Sequence, residues 1–276
     1  MRVRTSRQVL TYLALSVMAV LVLLPFLWTA LMSLKLDRDL LSIPPTFLPN
    51  PPTLFQYRET FRSGDFLNYF RNSIIVSSVS TALALAIGVP AAYGFAQFRY
   101  RLSGMLFGVI VATRMFPPVT LIIPYFLFMR SAGLLDTHFA LIITYVTIQL
   151  PLVIWILEGF FRELPNQVVE AAQIDGLGPV GVFVRIGIPL SMPAVSVAAS
   201  LAFIAGWNEF IFALALTRTP DAQTVPVGLA SGITSQGFDF GPITAGATIY
   251  VLPVLLFTFL AQKGLVKGLA TGGSTG

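Results

Sequence analysis

The chain has 276 residues, of which 55% are hydrophobic and only 11% charged, so its polar side chains are too few to cover a soluble globule of that size. Its formal net charge of +5 is spread along the chain rather than gathered on one face, which argues against nucleic acid as a partner and for a lipid bilayer. With no cysteine and a single histidine, His138, disulfide staples and Cys/His metal sites are excluded.

Residues 1–8 carry Arg2, Arg4 and Arg7 ahead of an apolar run over 9–34, which is long enough to span and too long for the core of a signal peptide. This predicts a retained first span with residues 1–8 in the cytoplasm. Between 35 and 67 both signs of charge return, and Pro44, Pro45, Pro49, Pro51 and Pro52 enforce a non-helical stretch, so the segment reads as an extracytoplasmic loop. Its aromatic residues Phe47, Phe55, Tyr57 and Phe61 suit either a self-packed connector or contact with a partner. The second span, 68–98, is rich in Ser, Thr, Ala and Gly, a composition that lets helices approach closely and predicts a place inside a bundle. Arg99 and Arg101 put its end in the cytoplasm.

The third span, 104–129, is interrupted by Arg114, Pro117, Pro118 and Pro124, so a broken helix is expected. A charge at that depth must face a cavity or find a partner; Arg114 therefore reads either as lining a translocation path or as one half of a structural ion pair. A short outer connection, Gly133 to Thr137, leads to the fourth span, 138–161, where Glu158 reaches the interface beside Arg162.

A polar island, 165–188, follows. Pro165 fits the first turn of a short helix, Asp175-Gly176 ends it, and Gly178-Pro179 starts another, with Pro189 and Pro193 bracketing the return to apolar sequence. Glu170 and Ile174 are one helical turn apart, and Ala171 and Ala172 keep the adjoining surface thin enough for another protein to approach. The spacing alone also fits a plain surface turn. The fifth span, 189–216, contains Trp207, Asn208 and Glu209, which suit a sugar face and its hydroxyls, although Glu209 would equally neutralise Arg114. An outer loop, 217–240, precedes the sixth span, 241–261. Lys263 and Lys267 then mark the inside, and a tail of small polar residues, 268–276, is expected to fray. Six spans place both termini and the island in the cytoplasm.

Glu170-Ala171-Ala172, Asp175-Gly176, Phe183, Ile186, Pro189-Leu190 and Pro193 resemble the EAA signature of permease subunits in binding-protein-dependent ABC importers. Leu177 departs from it, since the family usually has alanine there. Asn72-Ser73, Ala91 to Ala96, Arg114 to Pro117 and Trp207 to Glu209 are similar to the sugar-importing branch, and Thr224 to Leu229 and Gly264 to Leu269 resemble the family, so the likeness covers nearly the whole chain. It implies an all-α polytopic membrane protein of the MetI-like type I importer fold, its permease domain over 68–267 and six transmembrane helices. The island becomes a cytoplasmic coupling helix whose Glu170, Ala171, Ala172, Asp175 and Gly176 meet an ATPase. The resemblance further implies a heterodimer with a homologous second permease, two ATPase subunits holding ATP and Mg, an external solute-binding protein and a sugar substrate, in the cytoplasmic membrane of a prokaryote. Arg114, Trp207, Asn208 and Glu209 are then candidates for the path.

The sequence holds no G-x-x-x-x-G-K-[ST] loop and no nucleophile–base–orienter set, so ATP hydrolysis is expected in another subunit and no catalytic or metal-binding residue is assigned here. The alternative is an ion-gradient-driven transporter with Arg114, Glu158 and Glu209 as coupling charges; an intramembrane enzyme finds no supporting constellation.

Overall fold

The computed structural model describes residues 2–62, 64–98, 100–234 and 237–272. Arg99, the side chains of Arg2, Arg4, Arg7, Lys263 and Lys267, and tail residues 273–276, all used above for orientation or fraying, lie outside what is described. Among the described residues the regular structure is helical, apart from two paired two-residue strands, β1 (Ile233–Thr234) with β2 (Gly237–Phe238). Among the described residues five helices are long and apolar enough to cross a membrane, or six where the bent pair is counted as one span.

Two compact units are distinguished, Met1–Leu67 with Gly228–Leu252, and Asn68–Val227 with Pro253–Gly276. In the first, α1 (Arg2–Met32) presents its apolar side chains outward along the whole candidate span. Short helices α2 (Asp37–Leu40) and α3 (Phe55–Arg62) flank the proline-rich stretch. The Lys35 ammonium, buried over the Trp28 ring, donates to the Thr46 carbonyl, Phe47 meets Trp28 edge-on at 6.0 Å, and the Ser33 and Tyr57 hydroxyls pair at 2.8 Å.

The second unit is built on α4 (Asp65–Gln97), α7 (His138–Arg162) and α10 (Ile188–Trp207). Small residues set their spacing: Ala84, Ala92, Ala194, Ala198 and Ala202 are buried with Val153, Ile154 and Leu157. At Gly88 an added Cβ would stand 2.6 Å from Val153 Cγ1, and at Gly206 one would stand 2.5 Å from Gln149 Nε2. Close approach of this kind lets dispersion and side-chain hydrogen bonds replace the hydrophobic drive that lipid does not supply. The Ser/Thr-rich face of α4 is used in that way, with Ser73, Ser77, Ser80 and Thr81 buried and Gln149 donating to Ser80 Oγ at 3.2 Å.

The third span is two helices, α5 (Ser103–Ala112), continued by a 3-10 turn through Met115, and α6 (Pro118–Ser131), bent by 98°. Phe116 takes ψ 128° and Pro117 ψ 126°, because a proline ring crowds the preceding residue out of the helical region. Two expected boundaries move. The fifth span does not begin at Pro189: one apolar helix runs from Pro179 to Trp207, through α9 (Pro179–Val182) and a π-turn, Phe183–Gly187, that passes into α10. Pro189 lies just after the π-turn, where the i→i−4 ladder is already interrupted, so its missing N–H does not end the helix. The same span stops at Trp207 rather than 216, and a separate short helix, α11 (Ile211–Leu216), follows. In the expected outer loop lies α12 (Val225–Ser231), and α13 (Phe240–Gly272) forms the last span.

Candidate functional site

The island contains α8 (Asn166–Ile174), which follows Pro165 and ends at Gly176. Gly176 has φ +86°, a conformation glycine adopts without a Cβ penalty. Its N–H donates to Gln173 O, and the Leu177 N–H donates to Ala172 O, both at 3.0 Å, a paired closure that satisfies carbonyls the helix end would otherwise leave open. The chain then turns into α9. Glu170, Ala171, Asp175 and Gly176 are exposed. Ala172 is only 6% exposed and faces the chain's own packing, so of the two alanines Ala171 alone thins the outer surface. Ile174 is 86% exposed, and Val180 of α9 and Val184 of the π-turn are exposed as well. Apolar side chains carried on a short polar hairpin stabilise nothing within this chain.

What holds the island to the spans is an aromatic cluster. Tyr93 of α4, Phe161 of α7 and Phe183 of the π-turn meet ring to ring, Tyr93 with Phe183 at 4.8 Å and Tyr93 with Phe161 edge-on at 5.3 Å. Gly187 passes close to the same tyrosine. The Gln97 amide donates to Phe161 O at 2.7 Å, tying together the last turns of α4 and α7. These contacts join the π-turn to the last turns of α4 and α7. Phe183 and Tyr93 stand in stretches singled out in the sequence; Phe161 and Gln97 carry no local signal, because their importance is a contact between helices.

The charged residues within the spans go to separate partners. Glu158 pairs with Arg162 one turn on. The Glu209 carboxylate accepts from the Phe212 and Ala213 N–H groups at 2.9 and 3.0 Å, so it caps α11. Arg114 donates to Ile148 O at 3.3 Å. Among the described residues no ion pair joins Arg114 to Glu209. Trp207, 1% exposed, stacks on Phe203 at 5.7 Å and meets Phe70 edge-on at 5.6 Å, while Asn208 is exposed. In this conformation the Trp207 ring is a core element and offers no face to a solute.

Arg114 stands apart from those three. It lines a cavity of about 700 Å³ at the break in the third span, together with Thr113, Phe116, Tyr125, Thr147 and Phe212. The walls are mainly apolar and aromatic, and the Tyr125 and Thr147 hydroxyls pair there at 2.7 Å. A guanidinium, hydroxyls and ring faces make a surface that accepts oxygen-rich solutes.

Residues 84–270 match the family described as binding-protein-dependent transport system inner membrane component. The chain is 34% identical over 271 residues to the sulfoquinovosyl glycerol transport system permease of Agrobacterium fabrum, covering 98% of this chain and 95% of that one. It is 36% identical over 256 residues to the trehalose transport system permease of Mycobacterium tuberculosis, covering 92% and 93%. A solved bacterial ABC transporter that imports the acidic polysaccharide alginate contains a chain of the same fold, with TM-score 0.78, 22% identity and coverage of 95% and 98%.

Proposed function

The chain belongs to the family of binding-protein-dependent transport system inner membrane components, and from that premise we propose that it is the permease subunit of an ATP-driven importer of a carbohydrate. The observation that carries the coupling part of this reading is the island: a glycine-closed hairpin with Glu170, Ile174 and Val180 exposed, fastened through Phe183 to Tyr93 and Phe161. In the proposed assembly a second, homologous permease completes the path, two ATPase subunits bind ATP and Mg, and an external solute-binding protein delivers the sugar. Closure of the ATPases pushes the island, and the unbroken helix from Pro179 to Trp207 carries the displacement into the bundle. Both termini and the island face the cytoplasm of a prokaryotic cell.

The carbohydrate assignment is supported by relatives named for sulfoquinovosyl glycerol and trehalose transport. The cavity lining supports Arg114 as the path residue, while Asn208 is exposed elsewhere, Trp207 is packed against Phe203 and Glu209 accepts from the first turn of α11. An ion-gradient-driven route would bring its coupling charges together, and the separate placements of Arg114, Glu158 and Glu209 weigh against it. Uptake into vesicles carrying the full assembly decides the matter. Transport that needs ATP and the binding protein supports the reading, and transport by the permeases alone on an ion gradient overturns it.

A further inference from the structure

The island lies where the last turns of α4 and α7 meet; at the first turns of the same two helices the second unit carries another fastening, made from stretches the coupling scheme does not use. α7 has 25 residues, so this fastening is about 37 Å from the island along the helix axis. Asn72 and Ser73 lie near the start of α4, Gly133 to Thr137 joins α6 to α7, and residues 217–224 join α11 to α12.

The corner between α6 and α7 is shaped by Gly133, at φ +68°, and Asp136, at φ +62°. A non-glycine residue in that left-handed region persists only where surrounding contacts over-determine it. Here they do. The Asp136 N–H donates to Leu216 O at 2.8 Å. Its Oδ1 accepts from the Arg218 and Thr219 N–H groups at 2.7 and 3.0 Å, and its Oδ2 accepts from the Thr219 hydroxyl at 2.8 Å. Asn72 Nδ2 donates to Pro220 O and Gln223 O at 3.0 and 2.9 Å, and the Val225 N–H donates to Ser73 Oγ at 2.8 Å. The segment 217–224 between α11 and α12 keeps turn bonds of its own, from the Ala222 and Gln223 N–H groups to Thr219 O, but the Arg218 and Thr219 N–H groups and the Pro220 and Gln223 carbonyls take side-chain partners from α4 and the α6–α7 corner. Those side chains fix where the segment sits against the two helices. Tyr125 of α6 packs edge-on against Phe212 of α11 at 5.3 Å, so α6 and α11 are joined on a second side as well.

We propose that Asp136 and Asn72 are positioning residues for transport, fastening the ends of α4, α6, α7 and α11 into one outer gate that moves as a body when the island is pushed. This rests on the permease reading given above. Without the fastening, only apolar packing of Phe212, Ala213 and Leu216 with Val76, Leu141 and Tyr145 would join α11 to α4 and α7, and part of a push at the island would be dissipated before reaching the outer mouth. Stability and coupling then separate. A residue that merely stabilises the fold changes how much complex assembles, whereas a gate fastener changes how much solute crosses per ATP hydrolysed.

The experiment uses the complete assembly in proteoliposomes, with trehalose and sulfoquinovosyl glycerol as trial solutes, and compares wild type with Asp136→Ala, Asp136→Asn and Asn72→Ala. Asp136→Ala and Asn72→Ala are expected to assemble and hydrolyse ATP, with solute moved per ATP reduced about tenfold, within the range for residues along a coupling path. Asp136→Asn keeps an acceptor oxygen and should fall between them and wild type. Spin labels on Leu135→Cys and Arg218→Cys, introduced into a chain with no native cysteine, should give one narrow distance in wild type and a broad distribution in Asp136→Ala. Solute per ATP within twofold of wild type in both alanine variants overturns the proposal, as does an unchanged label distance in Asp136→Ala. Failure of all three variants to assemble also overturns it, since the residues would then be purely structural. A wild-type assembly that transports neither solute on ATP but carries one on an ion gradient would instead sink the permease reading itself.

Discussion

Replacing Ile174 by alanine separates docking from folding more cleanly than any other change in the island. Ile174 is 86% exposed in the last turn of α8, so it contributes almost nothing to this chain's own core, and alanine is the better helix former there. If an ATPase subunit covers this surface, the change removes three carbons from an apolar contact. At roughly 0.8 kcal/mol per buried CH₂, reduced in proportion to the exposed share, docking weakens by about 2 kcal/mol, or roughly thirtyfold in Kd. The assay is titration of the ATPase subunit onto the permease pair in nanodiscs, with the melting temperature of the pair measured alongside. A Kd within twofold of wild type would refute the docking argument. A large loss of melting temperature would refute the assignment of Ile174 to an outward face.

Glu170→Ala and Gly176→Pro should leave the protein inserted while lowering uptake and ATPase co-purification, the second because it destroys a turn held at φ +86°; unchanged co-purification counts against the coupling role. Trp207→Ala should destabilise the isolated permease by roughly 3–5 kcal/mol, the scale for emptying a buried aromatic site. Thermal unfolding tests this, and a fully stable variant would return Trp207 to the list of solute contacts. Burial raises the Asp136 carboxyl, but hydrogen bonds from Arg218, Thr219 and the Thr219 hydroxyl, with the Arg218 charge, hold it below the ordinary 3.8. A lowered folded value means that this stabilisation is fully present above the unfolded value and is lost as pH falls through the folded one. The melting-temperature gap between wild type and Asp136→Asn should accordingly be constant from neutral pH to about 5 and shrink below about 4; a gap that widens on acidification would reverse the sign of the argument.

The spans were legible because a bilayer demands long apolar runs, and the ends of α8 because Pro165 and Gly176 act through their own backbone preferences. The break in the third span was legible for the same reason, since Pro117 and Pro118 restrict residues beside them. Pro189 and Pro193 misled: the π-turn ahead of them already interrupts the backbone ladder and lets the helix continue through them, so the fifth span starts ten residues before Pro189. Trp207 and Glu209 read as a ligand set because an aromatic ring and a carboxylate suit sugars, yet the ring faces Phe203 and the carboxylate caps α11. Which neighbour claims a versatile side chain is a tertiary fact. Asp136 illustrates the same limit, since its partner Thr219 is 83 residues away.

The central claim is that residues 165–188 are a cytoplasmic contact for a separate ATPase, and labelling of a single cysteine tests it directly because the native chain has none. Ile174→Cys should react with a membrane-impermeant maleimide in inside-out vesicles and lose that reactivity when the ATPase subunits are bound. Reaction from the outer face of intact cells, or reactivity indifferent to the ATPase, would contradict it.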